Sequence, residues 1–296
     1  MWNCSKLGVM QSQKPGTFLK NRRASSRCAG CNLIDQYTAR TMQILLTNDD
    51  GIRHPGLAAM YRELTALGEV HVVAPETVQS ATGHGVTIAT PLLTEQVTVE
   101  NLFTGIAVDG RPADCVKLAV AKLLPRQPDL VISGINSGAN VGINVLYSGT
   151  VAAAVEGAFL GLPAIALSLY LHKDVPTDYA IAAKRAINVV KQILDAGLKG
   201  GEVVSVNLPA VPANKAVSGT KIVRQCTRPW DDSYEKRQDP RGRDYYWNNS
   251  IFSLKTNEDD TDVAALRDGY ITVTPLQFDL TDHQKAKDWE TRNWNL

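Results

Sequence analysis

From Met42 to about Asn207, short apolar runs alternate with segments of helical period, and that alternation leaves few folds open. Gln43–Thr47, Val70–Ala74, Asp129–Ser133, Ala164–Ser168 and Val203–Asn207 are apolar runs of strand length. They are the kind buried on both faces of a parallel sheet. Between the first two, Pro55 suits a first helical turn, Leu57, Met60, Leu64 and Leu67 recur at helical spacing, and Gly68 stops the pattern. Further helices are expected from Pro112, over the small residues Thr150–Leu160, and from about Asp178 to Ala196 with Ala183, Ile187, Val190 and Leu194 inward. Weaker strand-like runs lie at Val86–Ile88 and Thr104–Val108. Strands alternating with helices build right-handed βαβ units, so the expectation is an α/β fold with a doubly wound, mostly parallel, Rossmann-like sheet.

At 296 residues with 44% hydrophobic content, a substantial core can be buried. A net charge of +1 argues against a nucleic-acid polymer as partner. No stretch approaches the roughly 20 apolar residues of a membrane span. An odd set of five cysteines (Cys4, Cys28, Cys31, Cys115, Cys226) fits reduced thiols and a cytoplasmic setting. Residues 1–41 stand apart, with Lys6, Lys14, Lys20, Arg22, Arg23, Arg27 and Arg40 against the single acid Asp35. They read as a basic extension, either a targeting or disordered segment or, in preference to a transit peptide, a start assigned upstream of Met42, and Cys28–Cys31 as chance spacing more than half a zinc site. Residues 42–296 read as one enzyme domain with its core at about 42–210. After Pro209 the texture turns polar and aromatic (Arg224–Asn249), then acidic (Glu258, Asp259, Asp260, Asp262). A strand at Gly269–Thr274 and a closing helix near Gln284–Trp294 follow. Residues 211–296 thus suggest a β-rich arm used in oligomerisation.

In doubly wound sheets the binding crevice lies beyond the carboxyl ends of the strands. The loops 48–54, 75–85 and 134–149 each follow such an end. The first carries Asp49-Asp50-Gly51, where two adjacent carboxylates repel and a cation relieves them. A helix-capping Asp followed by a turn-forming Asp-Gly accounts for the same residues taken alone. The second loop offers Ser80, with Thr77, Thr82 and His84 nearby. The third offers Asn136, Ser137 and Asn140 among glycines, and then Ser148-Gly149-Thr150 opens a helix. Backbone N–H groups at a helix start form an anion site that suits phosphate. Ligands that are carboxylate, hydroxyl and amide oxygens select a hard cation such as Mg²⁺ or Mn²⁺. Metal beside an anion-binding helix start is equipment for phosphoryl hydrolysis.

The stretches Ile44–Gly51, Val72–Pro75, Val131–Asn140, Tyr147–Ala154, Asp239–Gly242 and Gly269–Leu276 occur in the order of one family. Over them the chain resembles the stationary-phase survival protein SurE family of metal-dependent nucleotidases, from Met42 nearly to the end. The resemblance implies one divalent metal ion per subunit, held by Asp49, Asp50, Ser80 and Asn136. It implies phosphate near Asn140 and Ser148-Gly149-Thr150, with Asn136 and Ser137 in the same substrate-facing loop. It also implies a homodimer or homotetramer that exchanges the C-terminal part between subunits. Arg111 stands where the family usually has Thr, and Ile143-Asn144 replaces a common acidic pair.

The expected activity is hydrolysis of nucleoside monophosphates, a 5′-nucleotidase with 3′-nucleotidase and exopolyphosphatase activity as extensions. Asp49 and Asp50 are the catalytic pair, and either can take the proton of the attacking water. A dinucleotide-binding oxidoreductase would need a Gly-x-Gly-x-x-Gly turn after the first strand, which Asn48–Arg53 lacks. A non-catalytic, metal-dependent nucleotide sensor is the remaining alternative.

Overall fold

The apolar runs become strands because each can bury both faces. In the computed structural model, which describes residues 40–229, 233–249 and 254–294, β1 (Met42–Thr47) is buried from Gln43 onward. It is followed by β2 (Gly68–Pro75), β3 (Thr94–Val99), β4 (Phe103–Val108), β5 (Leu130–Ser137), β6 (Ala164–Leu169) and β7 (Val203–Leu208). Later come β8 (Thr220–Ile222), β9 (Tyr234–Gln238), β10 (Asp244–Asn248) and β11 (Ile271–Leu276). Among the described residues the main sheet has nine strands in the order β3-β4-β2-β1-β5-β6-β7-β11-β8. Its centre, β4 to β7, is parallel throughout, while β3 and β11 run antiparallel to their central neighbours. The chain winds outward from β1 in one direction and from β5 in the other. The switch point therefore lies between β1 and β5, where an open α/β sheet places its crevice.

Helices cover both faces. α1 (Pro55–Leu64) and α4 (Tyr179–Asp195) pack on Ile44, Leu46, Leu130 and Ile132. On the opposite side, α2 (Pro112–Leu118) and α3 (Gly149–Phe159) pack on Leu45, Val73 and Val131. Even and odd positions of β1 face different layers, as the pleat requires. The short α5 (Asp262–Arg267) and the exposed α6 (His283–Glu290) complete the α-helices among the described residues. No helix among the described residues is long and apolar enough to cross a membrane.

Three elements differ from the sequence reading. Val86–Ile88 forms no strand, because the Thr87 N–H donates to Asp114 at 2.9 Å instead of to a neighbouring strand. The edge strand β3 was not expected from its polar sequence; only Val97 and Val99 are buried in it. α5 begins at the last residue of the acidic stretch, Asp262. There, buried Asp262 accepts N–H groups from Gly142 at 2.8 Å and Cys226 at 2.9 Å. Within 211–296, β8 and β11 extend the main sheet, while β9 and β10 form a separate exposed hairpin. Cys115 and Cys226 are buried thiols. The expectations for residues 1–39, the Cys28–Cys31 spacing included, lie outside the described residues.

Candidate active site

The switch point draws the three expected loops together through their backbones. The Ile52 N–H donates to the Pro75 carbonyl at 2.8 Å, and the Gln79 N–H to the Asp49 carbonyl at 2.7 Å. The Ser137 N–H donates to Asp50 Oδ2 at 2.8 Å. The Gly83 N–H donates to the Tyr147 carbonyl at 3.0 Å, just ahead of the α3 N-cap Ser148. Asn48 closes the first loop by donating to the Gly51 carbonyl at 2.9 Å.

Asp49 is 5% exposed and sits at the start of α3. A β-carbon placed on Gly149 would lie 2.9 Å from the Asp49 Cβ and 3.1 Å from its Oδ2. A glycine is thus what lets the helix start approach the carboxylate. Thr150 Oγ1 donates to Asp49 Oδ1 at 2.5 Å. Burial pushes the Asp49 carboxyl from 3.8 up to about 6; the Thr150 hydroxyl pulls it down and neighbouring Asp50 pushes it further up. Among the described residues, the basic side chain within ion-pairing distance of either aspartate is His54, 3.7 Å from Asp50 Oδ2. Burial holds the His54 imidazole below its ordinary value despite that carboxylate. The pair's negative charge is therefore left for a ligand to balance.

A second cluster adjoins Asp50. His54 Nδ1 accepts the Gly56 N–H at 3.1 Å, so the neutral ring carries its proton on Nε2, 2.9 Å from Ser137 Oγ. Ser137 Oγ also lies 2.5 Å from the Tyr179 hydroxyl, and the His54 and Tyr179 rings meet edge to face at 5.1 Å. Burial raises the Tyr179 phenol, with Asp50 adding to it and the Ser137 hydrogen bond opposing it. Neither His54 nor Tyr179 stands out in the sequence. The available signal was His54 directly before Pro55, an N-cap position at a strand's carboxyl end.

The other expected residues fall in different places. Ser80 is exposed on the loop that Gln79 anchors to Asp49, and Ala81 after it has φ 56°, a conformation L residues seldom adopt. Asn136 donates its amide to the Gly138 carbonyl at 2.8 Å. Asn140 is turned away from solvent: its amide donates to Ser168 Oγ at 2.8 Å and its N–H to Asn207 Oδ1 at 2.7 Å. Ser148 Oγ accepts the Val151 N–H at 3.1 Å, capping α3. α3 follows β5, so its start lies at the carboxyl edge of the parallel strands. Among the described residues no three His, Cys, Asp or Glu side chains gather as a metal cluster. Donors beyond the two aspartates must then be hydroxyl, amide, backbone or water oxygens, a set that fits a hard divalent cation.

The family model for Survival protein SurE matches residues 44–232. The chain belongs to the SurE family. It is 47% identical to the 5′-nucleotidase SurE of Rhodopirellula baltica over 256 residues, 86% of this chain and 99% of that relative. It is 49% identical to the 5′-nucleotidase SurE of Nitratidesulfovibrio vulgaris over 244 residues, 82% of this chain and 96% of that one. The crystal structure of the SurE protein from Aquifex aeolicus superposes with a TM-score of 0.71 at 37% identity, covering 83% of this chain and 97% of that one. The SurE match thus takes in both aspartates, the Gly-rich loop and the start of α3.

Proposed function

We propose that this SurE-family chain is a 5′-nucleotidase that hydrolyses nucleoside monophosphates to nucleoside and phosphate. The observation that carries the reading is the Asp49–Asp50 pair at the switch point, one member buried against the start of α3 with no Lys or Arg partner among the described residues. The names of the relatives, 5′-nucleotidase SurE, support the same substrate class.

Asp49 and Asp50 would hold one divalent ion, Mg²⁺ or Mn²⁺, with Ser80 and Asn136 as further oxygen donors. When bound, that ion supplies Lewis acidity toward the phosphoryl oxygens and the attacking water. Asp50, held by the Ser137 N–H, is oriented to accept a proton from water. The N–H groups at Ser148–Thr150 and the α3 dipole would receive the phosphoryl oxygens, where charge develops in the transition state. Thr150 also fixes Asp49, so it serves cation and anion together. Asn140 contributes by holding the Gly-rich loop to β6 and β7 more than by direct contact. The site is read as cytoplasmic, in a homodimer or homotetramer that uses the β9–β10 hairpin. Phosphate release from AMP and GMP, with and without EDTA, tests the function. Metal-reversible turnover is expected, and nucleotide binding without any released phosphate would favour a sensor instead.

A further inference from the structure

We propose that Arg111 is a substrate-binding residue of this site, gripping the phosphate group of the substrate with its guanidinium. The inference rests on the nucleotidase reading and adds a cation to a cradle otherwise built of backbone N–H groups. Arg111 lies over Gly85, where an added β-carbon would stand 2.0 Å from its Nη1. Gly85 thus leaves the room that the guanidinium occupies, on the same loop whose Gly83 is bonded to Tyr147 at the approach to α3. The next residue, Pro112, borders the other side: its Cγ would lie 3.1 Å from a β-carbon on Gly149, as would Asp49 Oδ2. The backbone bearing Arg111 therefore adjoins the helix start assigned to phosphate.

Its charge is also uncommitted. The Arg111 guanidinium has no ion pair among the described residues, and the side chain is exposed. The acid beside it, Asp114, is spent elsewhere: it accepts the Thr87 N–H and hydroxyl and the backbone N–H of Arg111 itself. A long, costly-to-order cation held over a glycine, with its acidic neighbour turned to backbone donors, is placed for an anion from outside. A guanidinium matches phosphate with two parallel hydrogen bonds, which a lysine ammonium does not reproduce.

The test separates this inference from the one beneath it. Phosphate release from AMP by the wild-type chain reads the nucleotidase activity alone. Calorimetric titration of inorganic phosphate into the Mn²⁺-loaded protein reads the role of Arg111 without turnover. In R111A, phosphate affinity is expected to fall about tenfold or more and the KM for AMP to rise in step. R111K should recover part of both, and Mn²⁺ affinity and melting temperature should stay at wild-type values. Phosphate binding in R111A within about twofold of wild type would overturn the proposal. So would a loss confined to AMP, which puts the guanidinium on the nucleoside, or a parallel loss of Mn²⁺ affinity. Wild-type protein that does not bind phosphate at all overturns it as well.

Discussion

Asp49 occupies the space that a side chain at residue 149 would need. Adding one methyl group there must move Asp49, whose Cβ would stand 2.9 Å away, and presses on Pro112, whose Cγ is 3.1 Å from the added atom. Gly149→Ala is therefore expected to lower kcat/KM by roughly 100-fold or more, while circular dichroism shows the fold intact. A variant with near-normal kcat/KM would mean that α3 need not touch Asp49. The same residues show what was open to reading in the sequence. Asp49-Asp50 and Ser148-Gly149-Thr150 are contiguous, and each carries its chemistry in its own composition. The Ser137–His54 and Ser137–Tyr179 contacts join residues 83 and 42 positions apart, so no local pattern announces them. Thr150, assigned from the sequence to the anion, turns out to bond the carboxylate across 101 positions.

Loop 75–85, α2 and α3 are tied by one buried acid. Glu156 on α3 is 4% exposed and accepts from His84 at 2.9 Å and Lys117 at 3.0 Å. The His84 ring also stacks on Phe159 at 5.1 Å. Burial pushes the Glu156 carboxyl up, but the hydrogen bonds from His84 and Lys117 outweigh it and leave the group below its ordinary value. A carboxyl depressed in the folded state stabilises the fold above its unfolded pKa, and that stability is lost as pH falls through the folded value. Glu156→Gln should thus cost about 1–2 kcal/mol at neutral pH. The gap to wild type should narrow below about pH 4 in urea unfolding. An equal gap at both pH values would show that the charge is not what ties these elements. Elements were legible in the sequence where burial is two-sided, as in β1, β6 and β7. They were obscure where polar groups carry the structure. β3 buries only alternate residues near its end, and α5 starts from Thr261, whose hydroxyl accepts the Ala264 N–H at 3.4 Å.

For the molecule as a whole, the β9–β10 hairpin presents Tyr234, Tyr246 and Trp247 to solvent at 61%, 59% and 57% exposure, apart from the main sheet. Aromatic side chains in that number on one exposed ribbon suit a subunit contact. If the hairpin joins subunits, replacing Tyr246 and Trp247 together by Ala should remove roughly 2 kcal/mol or more of association energy per anchor. Sedimentation velocity should then show smaller species than wild type; an unchanged distribution would remove the hairpin from the interface. The fold brings loops 48–54, 75–85 and 134–149 together at one edge of the sheet, and the two aspartates there decide whether that crevice is an active site. The direct measurement is phosphate release from AMP by wild type, Asp49→Asn and Asp50→Asn, each stripped with EDTA and restored with Mg²⁺ or Mn²⁺. Each substitution keeps the shape and removes one charge, so restored wild type should turn over and both variants should fall by at least about 100-fold with their folds intact. Near-normal turnover in either restored variant would contradict the assignment of that aspartate to the metal.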